Sequence, residues 1–149
     1  MKVYMCGPIT GLTLEEAVAL RAPAITALND AGIECLTPMR GNISAPELRT
    51  DRIAAKGYTN VIATDKAIVN RDRNDVMTCD VMLADFRGAK RVSIGSCVEF
   101  GWADAHRVPI VTVMDKDNPH DHGFIHQLST YVVEDMDDAV DLIITLLNA

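Results

Sequence analysis

Short apolar runs, rich in residues that favour strands, alternate with helix-like segments along most of the chain. The clearest runs are KVYMCG (2–7), DVMLADF (80–86) and VPIVTVM (108–114). Because strands that alternate with helices pair in parallel, this order predicts an α/β fold with a mostly parallel sheet covered on both faces.

Two shorter runs, IECLTP (33–38) and STYVVE (129–134), bring the predicted sheet to five strands. A capping box of Thr13 with Glu16 opens the first helix, which Gly32 ends and which Pro23 kinks or divides in two. The helical face includes Val18 among its apolar positions. Four further helices are predicted, namely from near Ala45 to Gly57 or Tyr58, over 64–78, over 95–106 and over 136–147.

Length and charge restrict the class of protein. A chain of 149 residues favours one domain, 1–149, and a net charge of −7 disfavours binding to a nucleic acid polymer. No apolar stretch approaches the roughly 20 residues of a membrane span, and a Gly-Pro turn interrupts the apolar N-terminus. The four cysteines form no CxxC pair, so we expect buried thiols and a cytoplasmic protein.

Ligands of open parallel sheets bind beyond the carboxyl ends of the strands. CGPITG (6–11) follows the first strand, ADFRG (84–88) the third, and the polar loop DKDNPHDHG (115–123) the fourth. We therefore expect these segments to line a pocket, and the candidate contacts within the first two are Gly7, Ile9 and Asp85. CGPITG matches neither a dinucleotide-binding fingerprint nor a P-loop, so a plain turn is the default interpretation.

Glu99, in GSCVEFGWADAH (95–106), has two interpretations. Ser96 and Glu99 match the capping-box pattern S-x-x-E, which predicts an ordinary helix start. However, Glu99 is the only charged residue between Arg91 and Asp104, and the small residues before it would let a substrate approach the backbone. A carboxylate near a helix N-terminus stays ionised, so a chemical Glu99 is better suited to be a nucleophile than an acid.

Two other groups of residues remain ambiguous from their pattern. Asp72, in NRDRND (70–75), has the features of a solvated helix face, and nothing in the pattern sets it above Asp75. His120, His122 and His126 have a spacing that could bind zinc, but histidines in a polar loop without a nearby cysteine or glutamate favour no metal.

Three motifs together resemble the nucleoside 2-deoxyribosyltransferase family over nearly the whole chain. The first is a strand with a tyrosine and a glycine turn, VYMCGPITG (3–11). The second places two aspartates eight residues apart in NRDRNDVMTCDVML (70–83). The third, and the most specific, is G-[ST]-x-x-E-x-G-x-A, here GSCVEFGWA (95–103).

The resemblance implies a flavodoxin-like, Rossmann-like three-layer sandwich and cleavage of a nucleoside N-glycosidic bond. It implies that Glu99 takes the sugar at C1′, that Asp72 protonates or hydrogen-bonds the leaving base, and that Tyr4 orients the glutamate. It also implies a homodimer or dimer of dimers with shared active sites, in which the loop around His122 and Phe124 reaches the neighbouring subunit. The chemistry needs no metal and no organic cofactor.

One departure from the family pattern concerns the substrate. Six residues before the glutamate, typical transferases have an aspartate that binds the sugar 5′-hydroxyl, whereas this chain has Ser93. The related nucleoside 5′-monophosphate N-glycosidases have a serine there, and the absence of a charge suits a phosphate. Gly95 and Ser96 would complete this substrate contact.

The reaction class therefore remains open between base exchange and hydrolysis, on a nucleoside or its 5′-monophosphate. A non-catalytic nucleotide sensor on the same fold is the alternative from another class, because fold does not imply function. A nicotinamide-dinucleotide glycohydrolase is a third alternative, which would need a larger pocket.

Overall fold

The computed structural model describes residues 1–40, 52–54, 57 and 60–148. The helix predicted from near Ala45 lies outside the described residues. The described elements run, in chain order, β1 Lys2–Cys6, α1 Leu14–Asp30, β2 Glu34–Leu36, α2 Asp65–Thr78, β3 Val81–Asp85, α3 Ile94–Ala105, β4 Ile110–Val113, α4 Gly123–Leu128, β5 Tyr131–Val133 and α5 Met136–Asn148.

The five strands form one parallel sheet in the order β2-β1-β3-β4-β5. This is the flavodoxin-like order, in which the strand order reverses between β1 and β3. Alternate residues of β1 enter two cores: Val3 and Met5 pack with α1 and α5, and Tyr4 and Cys6 pack with α2 and α3. The predicted three-layer α/β fold with a five-stranded sheet is confirmed.

Helix α1 begins and ends as its sequence predicts. The Thr13 side chain accepts from the Glu16 amide, and the Glu16 carboxylate accepts from the Thr13 amide, a reciprocal cap that is typically worth about 1 kcal/mol. After the helix, Gly32 has a left-handed φ of +77°, which only glycine adopts without strain. The helix is continuous through Pro23, so the alternative of two separate pieces is wrong.

The buried face of α1 differs from the predicted one. Ala17, Arg21, Ala24 and Leu28 are buried, whereas Val18 is exposed. The buried residues lie three or four positions apart and so share one side of the helix. Arg21 therefore lies on the buried face of α1. A search for apolar residues at helical spacing does not detect a charged residue at such a position.

Two other expectations need correction. The polar loop after β4 leads into a short helix, α4, that the sequence analysis did not predict. The thiols of Cys6 and Cys79 are buried and that of Cys35 is partly so, but Cys97 is exposed because it lies on the outer side of α3. Within the described ranges, every helix is too short or too polar to cross a bilayer.

The turn after β1 requires glycine at its first position. Gly7 has φ of +152°, and a Cβ atom there would lie 2.6 Å from the Asp85 carbonyl oxygen. Since real Cβ atoms do not approach a backbone oxygen so closely, the ends of β1 and β3 can meet only with glycine at this position. This close approach brings the two strand ends to one edge of the sheet, beside the N-terminal half of α3.

Candidate active site

Strand β1 and helix α3 present two side chains each to a common space. Tyr4 and Cys6 are two residues apart and so share one face of the strand, while Ser96 and Glu99 are three apart and share one face of the helix. The two faces meet, because the Tyr4 hydroxyl reaches Glu99 and the side chains of Cys6 and Ser96 interact.

The Tyr4 hydroxyl donates a hydrogen bond of 2.8 Å to Oε1 of Glu99, across 95 residues of sequence. Tyr4 is fully buried and Glu99 is partly buried. Tyr4, on the sheet, therefore fixes one carboxylate oxygen of Glu99. Because Glu99 is only partly buried, a ligand can still approach it from the solvent side.

Helix α3 begins earlier than predicted, and this changes how Glu99 is to be interpreted. Ser93, not Ser96, is the N-cap, and its hydroxyl accepts from the Ser96 amide at 3.3 Å. Glu99 is then the sixth residue of the helix, so the capping-box interpretation of Ser96 and Glu99 is wrong. The predicted support from the helix N-terminus is also weak, since that effect falls off within the first turn.

Side-chain contacts replace the helix terminus as support for a charged Glu99. Burial raises the pKa of Glu99, while the side chains of Cys6 and Tyr4, and then the Arg21 charge, lower it. Burial is the largest of these effects, so the carboxylate is more basic than an ordinary glutamate. A more basic carboxylate is also a stronger nucleophile once it is ionised.

Asp72 is the second carboxyl group of the site. It lies on the buried face of α2, and Arg71 Nε is 3.3 Å from its Oδ1. Burial raises the pKa of Asp72 to about 7; the Arg71 charge opposes this shift and the Glu99 charge adds to it. Around neutral pH the group is therefore divided between its acid and its base form.

Asp75, which the sequence could not separate from Asp72, has a different environment. Its carboxylate accepts two hydrogen bonds from Arg40, at 2.8 and 2.6 Å. A carboxylate bound by an arginine in this way serves to hold two segments together. The structure therefore distinguishes two aspartates that their shared motif could not.

Arg21 is a buried cation behind the site that sequence reasoning missed. Its guanidinium donates to the Ala17 carbonyl at 2.9 Å and to the Gly7 carbonyl at 3.1 Å. Its charge acts on the side chains of Cys6, Asp85, Tyr4 and Glu99. Arg21 lies three or four residues from Ala17 and Ala24 and so shares the buried face of α1 with them and with Leu28. This spacing was the one signal in the sequence that could have identified it.

Three further candidate residues, Gly7, Ile9 and Asp85, lie at the ends of β1 and β3 or in the turns that follow them. Gly7 is buried in its turn, and Ile9 packs in a small core with Met39 and Ile53. Asp85 is buried, and Arg87 binds both of its carboxylate oxygens at 2.9 Å. The geometry therefore gives Asp85 a role in holding the loop after β3, beside its predicted contact with a ligand.

The N-terminal end of α3 is the most polar part of this edge. The Ser96 hydroxyl donates to the Ser93 hydroxyl at 3.0 Å, and Gly95 between them is exposed. The Ser93 amide donates to Nε2 of His120 at 2.8 Å. Ser93, Gly95 and Ser96 are thus brought together at one helix end, within two turns of Glu99.

His122 and Phe124 lie apart from this cluster, on the surface. His122 is the N-cap of α4, and its ring meets the Phe124 ring edge-on with centroids 5.5 Å apart. Phe124 is 74% exposed. Within the described part of the chain, neither side chain bonds to Tyr4, Asp72 or Glu99, and their role toward a neighbouring subunit stays a prediction.

The three histidines of the loop do not converge. His120 is buried between Phe86 and the Ser93 amide, and His126 pairs with Asp121 at 2.7 Å on the surface. In the described ranges, no three His, Cys, Asp or Glu side chains are arranged to hold a metal ion.

Comparison with known proteins adds to this geometry. A search of curated proteins finds no match. Among solved structures, a 2-deoxyribosyltransferase of Bacillus psychrosaccharolyticus is similar, with a TM-score of 0.68 and 14% identity over 95% of this chain and 91% of that chain. The CMP N-glycosidase BcmB of Clostridium botulinum has a TM-score of 0.58 and 17% identity over 96% of this chain and 97% of its own. The molybdenum cofactor binding protein of Rippkaea orientalis has a TM-score of 0.56 and 16% identity over 98% of this chain and 96% of its own.

Likeness at this level of identity establishes the fold alone. The family comparison goes further, because the model of the nucleoside 2-deoxyribosyltransferase family matches residues 3–143. That match includes the strand with Tyr4, the helix with Asp72 and the helix with Glu99, and it supports glycosyl-transfer chemistry on nucleosides. The chain belongs to the nucleoside 2-deoxyribosyltransferase family.

Proposed function

We propose that the protein cleaves the N-glycosidic bond of 2′-deoxynucleosides or their 5′-monophosphates and passes the sugar to another base or to water. The observation that carries this proposal is the 2.8 Å hydrogen bond from Tyr4 to Glu99, beside a second carboxyl group, Asp72, whose pKa burial raises to about 7. Two carboxyl groups with different environments suit a nucleophile and an acid–base catalyst.

In the first step, the free oxygen of the Glu99 carboxylate forms a bond to C1′ as the bond from C1′ to the base nitrogen breaks. The leaving base takes a proton from Asp72. Tyr4 holds Oε1 at 2.8 Å, which fixes the carboxylate while the other oxygen attacks. The products are a glycosyl ester on Glu99, a neutral base and an ionised Asp72.

In the second step, a nitrogen of another base, or a water molecule, attacks C1′ and Glu99 leaves as a carboxylate. Asp72 recovers its proton from the attacking group. Two displacements at the same carbon retain its configuration. A group with a pKa near 7 can serve as acid in one step and base in the other at neutral pH.

Ser93 supports a 5′-monophosphate as the substrate. A hydroxyl group at this position puts no negative charge against a phosphate, and the first amides of α3 have no partner within the helix. Arg91, two residues before Ser93, adds a positive charge beside the turn after β1, since a guanidinium nitrogen lies 4.0 Å from where a Cβ on Gly11 would be. A hydrolase acting only on monophosphates is therefore the closest alternative.

A nucleotide-sensing module without turnover is the alternative from another class. The similar cofactor binding protein of Rippkaea orientalis indicates that this fold also serves proteins described by what they bind. A sensor would bind a nucleotide without needing Glu99 and Asp72 in different protonation states.

We also propose that the protein acts as a homodimer or dimer of dimers with shared sites, in the cytoplasm. Several large apolar side chains are exposed on the described surface, notably Ile94 at 80% and Phe124 at 74%. Large exposed apolar side chains are enriched in surfaces that a second subunit covers. The four cysteines, which are all free, suit a reducing compartment.

The first prediction concerns the nucleophile. Glu99→Gln should lower base release from a deoxynucleoside or its 5′-monophosphate by at least about a thousandfold, since a neutral amide cannot form the ester. Base release is measured by chromatography, with and without a second free base. Glu134→Gln, on the exposed surface, is the matched control and should retain activity. Wild-type protein that binds these compounds but releases no base would favour the sensor instead.

The second prediction concerns the 5′ group. Ser93→Asp should reduce kcat/KM for the 5′-monophosphate by about tenfold or more and leave the nucleoside less affected, because the new carboxylate repels phosphate. Ser93→Asn is the control, since asparagine caps a helix as well as aspartate does but carries no charge. Equal losses on both substrates in Ser93→Asp would contradict phosphate binding at this position.

The third prediction follows from the raised pKa of Asp72. The folded protein holds this proton up to about pH 7 and the unfolded chain releases it near pH 4, so stability falls as pH rises between these values. At pH 8, Asp72→Asn should therefore be more stable than the wild type by roughly 1–3 kcal/mol, with a smaller difference near pH 4.

Denaturant unfolding across this pH range measures the effect. Asp141→Asn, which removes an exposed carboxylate from α5, should change stability by less than about 0.5 kcal/mol. An Asp72→Asn protein that is less stable than the wild type at pH 8 would show that the fold stabilises the ionised form of Asp72, and so that its pKa is not raised.

A further inference from the structure

The loop between β4 and α4 places two polar side chains in the interior. Asn118 is 6% exposed and His120 is 1% exposed, although the segment around them is polar. Buried polar side chains are costly unless they form hydrogen bonds, so their partners indicate what they do.

The hydrogen bonds of His120 determine its protonation state. Its Nε2 lies 2.8 Å from the Ser93 amide, which can only donate, so Nε2 must accept. Its Nδ1 lies 3.1 Å from the Asn118 side-chain oxygen, which can only accept, so Nδ1 carries the proton. The ring is therefore neutral and in a single tautomer, and burial lowers the pKa of His120 in agreement with this.

Asn118 and Phe86 fix the orientation of that ring. The Asn118 amide nitrogen donates to the Phe86 carbonyl at 2.7 Å, which settles which end of the side chain faces His120. The Asn118 oxygen also accepts from the His120 backbone amide at 3.0 Å. The His120 ring is stacked on the Phe86 ring, with centroids 3.9 Å apart and planes 2° apart.

The far end of this chain of contacts is the N-cap of α3. Ser93 receives the His120 contact on its amide, and its hydroxyl bonds to the amide and the hydroxyl of Ser96. His120 thus connects the loop after β4 to the residue proposed to meet the 5′ end of the substrate. It lies outside the reacting groups, because its two ring nitrogens are already occupied.

We propose that His120, oriented by Asn118, is a positioning residue that holds the Ser93 amide and so sets recognition of the substrate 5′ group. The inference rests on the proposed function of this site. It assigns His120 neither a metal nor a proton transfer in the reaction. Its action is on binding, through the position of Ser93, and it leaves the attack by Glu99 unchanged.

The kinetic test compares two amide variants. In His120→Gln the side-chain oxygen can reach the position of Nε2 and accept from Ser93, whereas the shorter side chain in His120→Asn reaches only that of Nδ1. His120→Asn should raise KM for a nucleoside 5′-monophosphate about tenfold, because one hydrogen bond is lost. Its kcat should stay within about threefold of the wild-type value. His120→Gln should recover most of that loss, and the nucleoside without phosphate should respond less.

His126→Asn is the control. Since His126 pairs with Asp121 on the surface, this substitution should leave KM unchanged. Equal KM values for wild type, His120→Asn and His120→Gln would overturn the inference while base release still supported the proposed function. So would a His120→Asn protein in which only kcat falls.

A second measurement does not depend on activity. In ¹⁵N NMR spectra of the wild type at neutral pH, His120 should be neutral with its proton on Nδ1, and Asn118→Ala should weaken this preference because Nδ1 loses its acceptor. A His120 protonated on Nε2 would overturn the inference even if the enzyme is active. If no base is released from any substrate, the proposed function fails, and the tautomer still decides whether the contact with Ser93 exists.

Discussion

The hydrogen bond between Tyr4 and Glu99 is the interaction on which the rest of the site depends. It joins the central part of β1 to the second turn of α3, and it forms only because the sheet order places α3 over that face of the strand. Its donor is fully buried, so the hydroxyl group has no water to replace its partner. A change that moves β1 relative to α3 would leave a buried hydroxyl without an acceptor and a glutamate without its fixed oxygen.

The charge balance around this bond explains how two carboxyl groups that interact electrostatically can have different roles. Burial raises the pKa of both groups. The side chains of Tyr4 and Cys6 and the charge of Arg21 stabilise the Glu99 anion, whereas for Asp72 the charge of Arg71 stabilises the anion and the charge of Glu99 disfavours it. Two neighbouring carboxylates repel each other, so ionisation of one favours the proton on the other. The proposed chemistry needs Glu99 as the anion and Asp72 as the acid, and this mutual repulsion favours such a division.

Much of this fold could be predicted from local pattern. The strands, the Thr13 capping box and the turn at Gly32 are set by neighbouring residues, and the structure agrees with them. The start of α3 was placed too late because Ser93 and Ser96 can both cap a helix, and tertiary contact with His120 favours the earlier one. Arg21 and His120 were missed for a related reason: each is a polar residue made tolerable in the interior by partners far away in sequence, at Gly7 and Ser93. The role of Glu99 stays a prediction, and its expected support from the helix terminus is weak because Glu99 lies in the second turn of α3.

The central claim is that Glu99 forms a bond to the sugar, and intact-mass analysis tests it most directly. The protein is mixed with a 2′-deoxynucleoside or its 5′-monophosphate, quenched in acid and weighed, and its peptides are then mapped. The account predicts a wild-type protein heavier by one sugar or sugar phosphate, with the addition on the peptide that contains Glu99, and no addition in Glu99→Gln. Base release without any addition, or an addition that persists in Glu99→Gln, would contradict it.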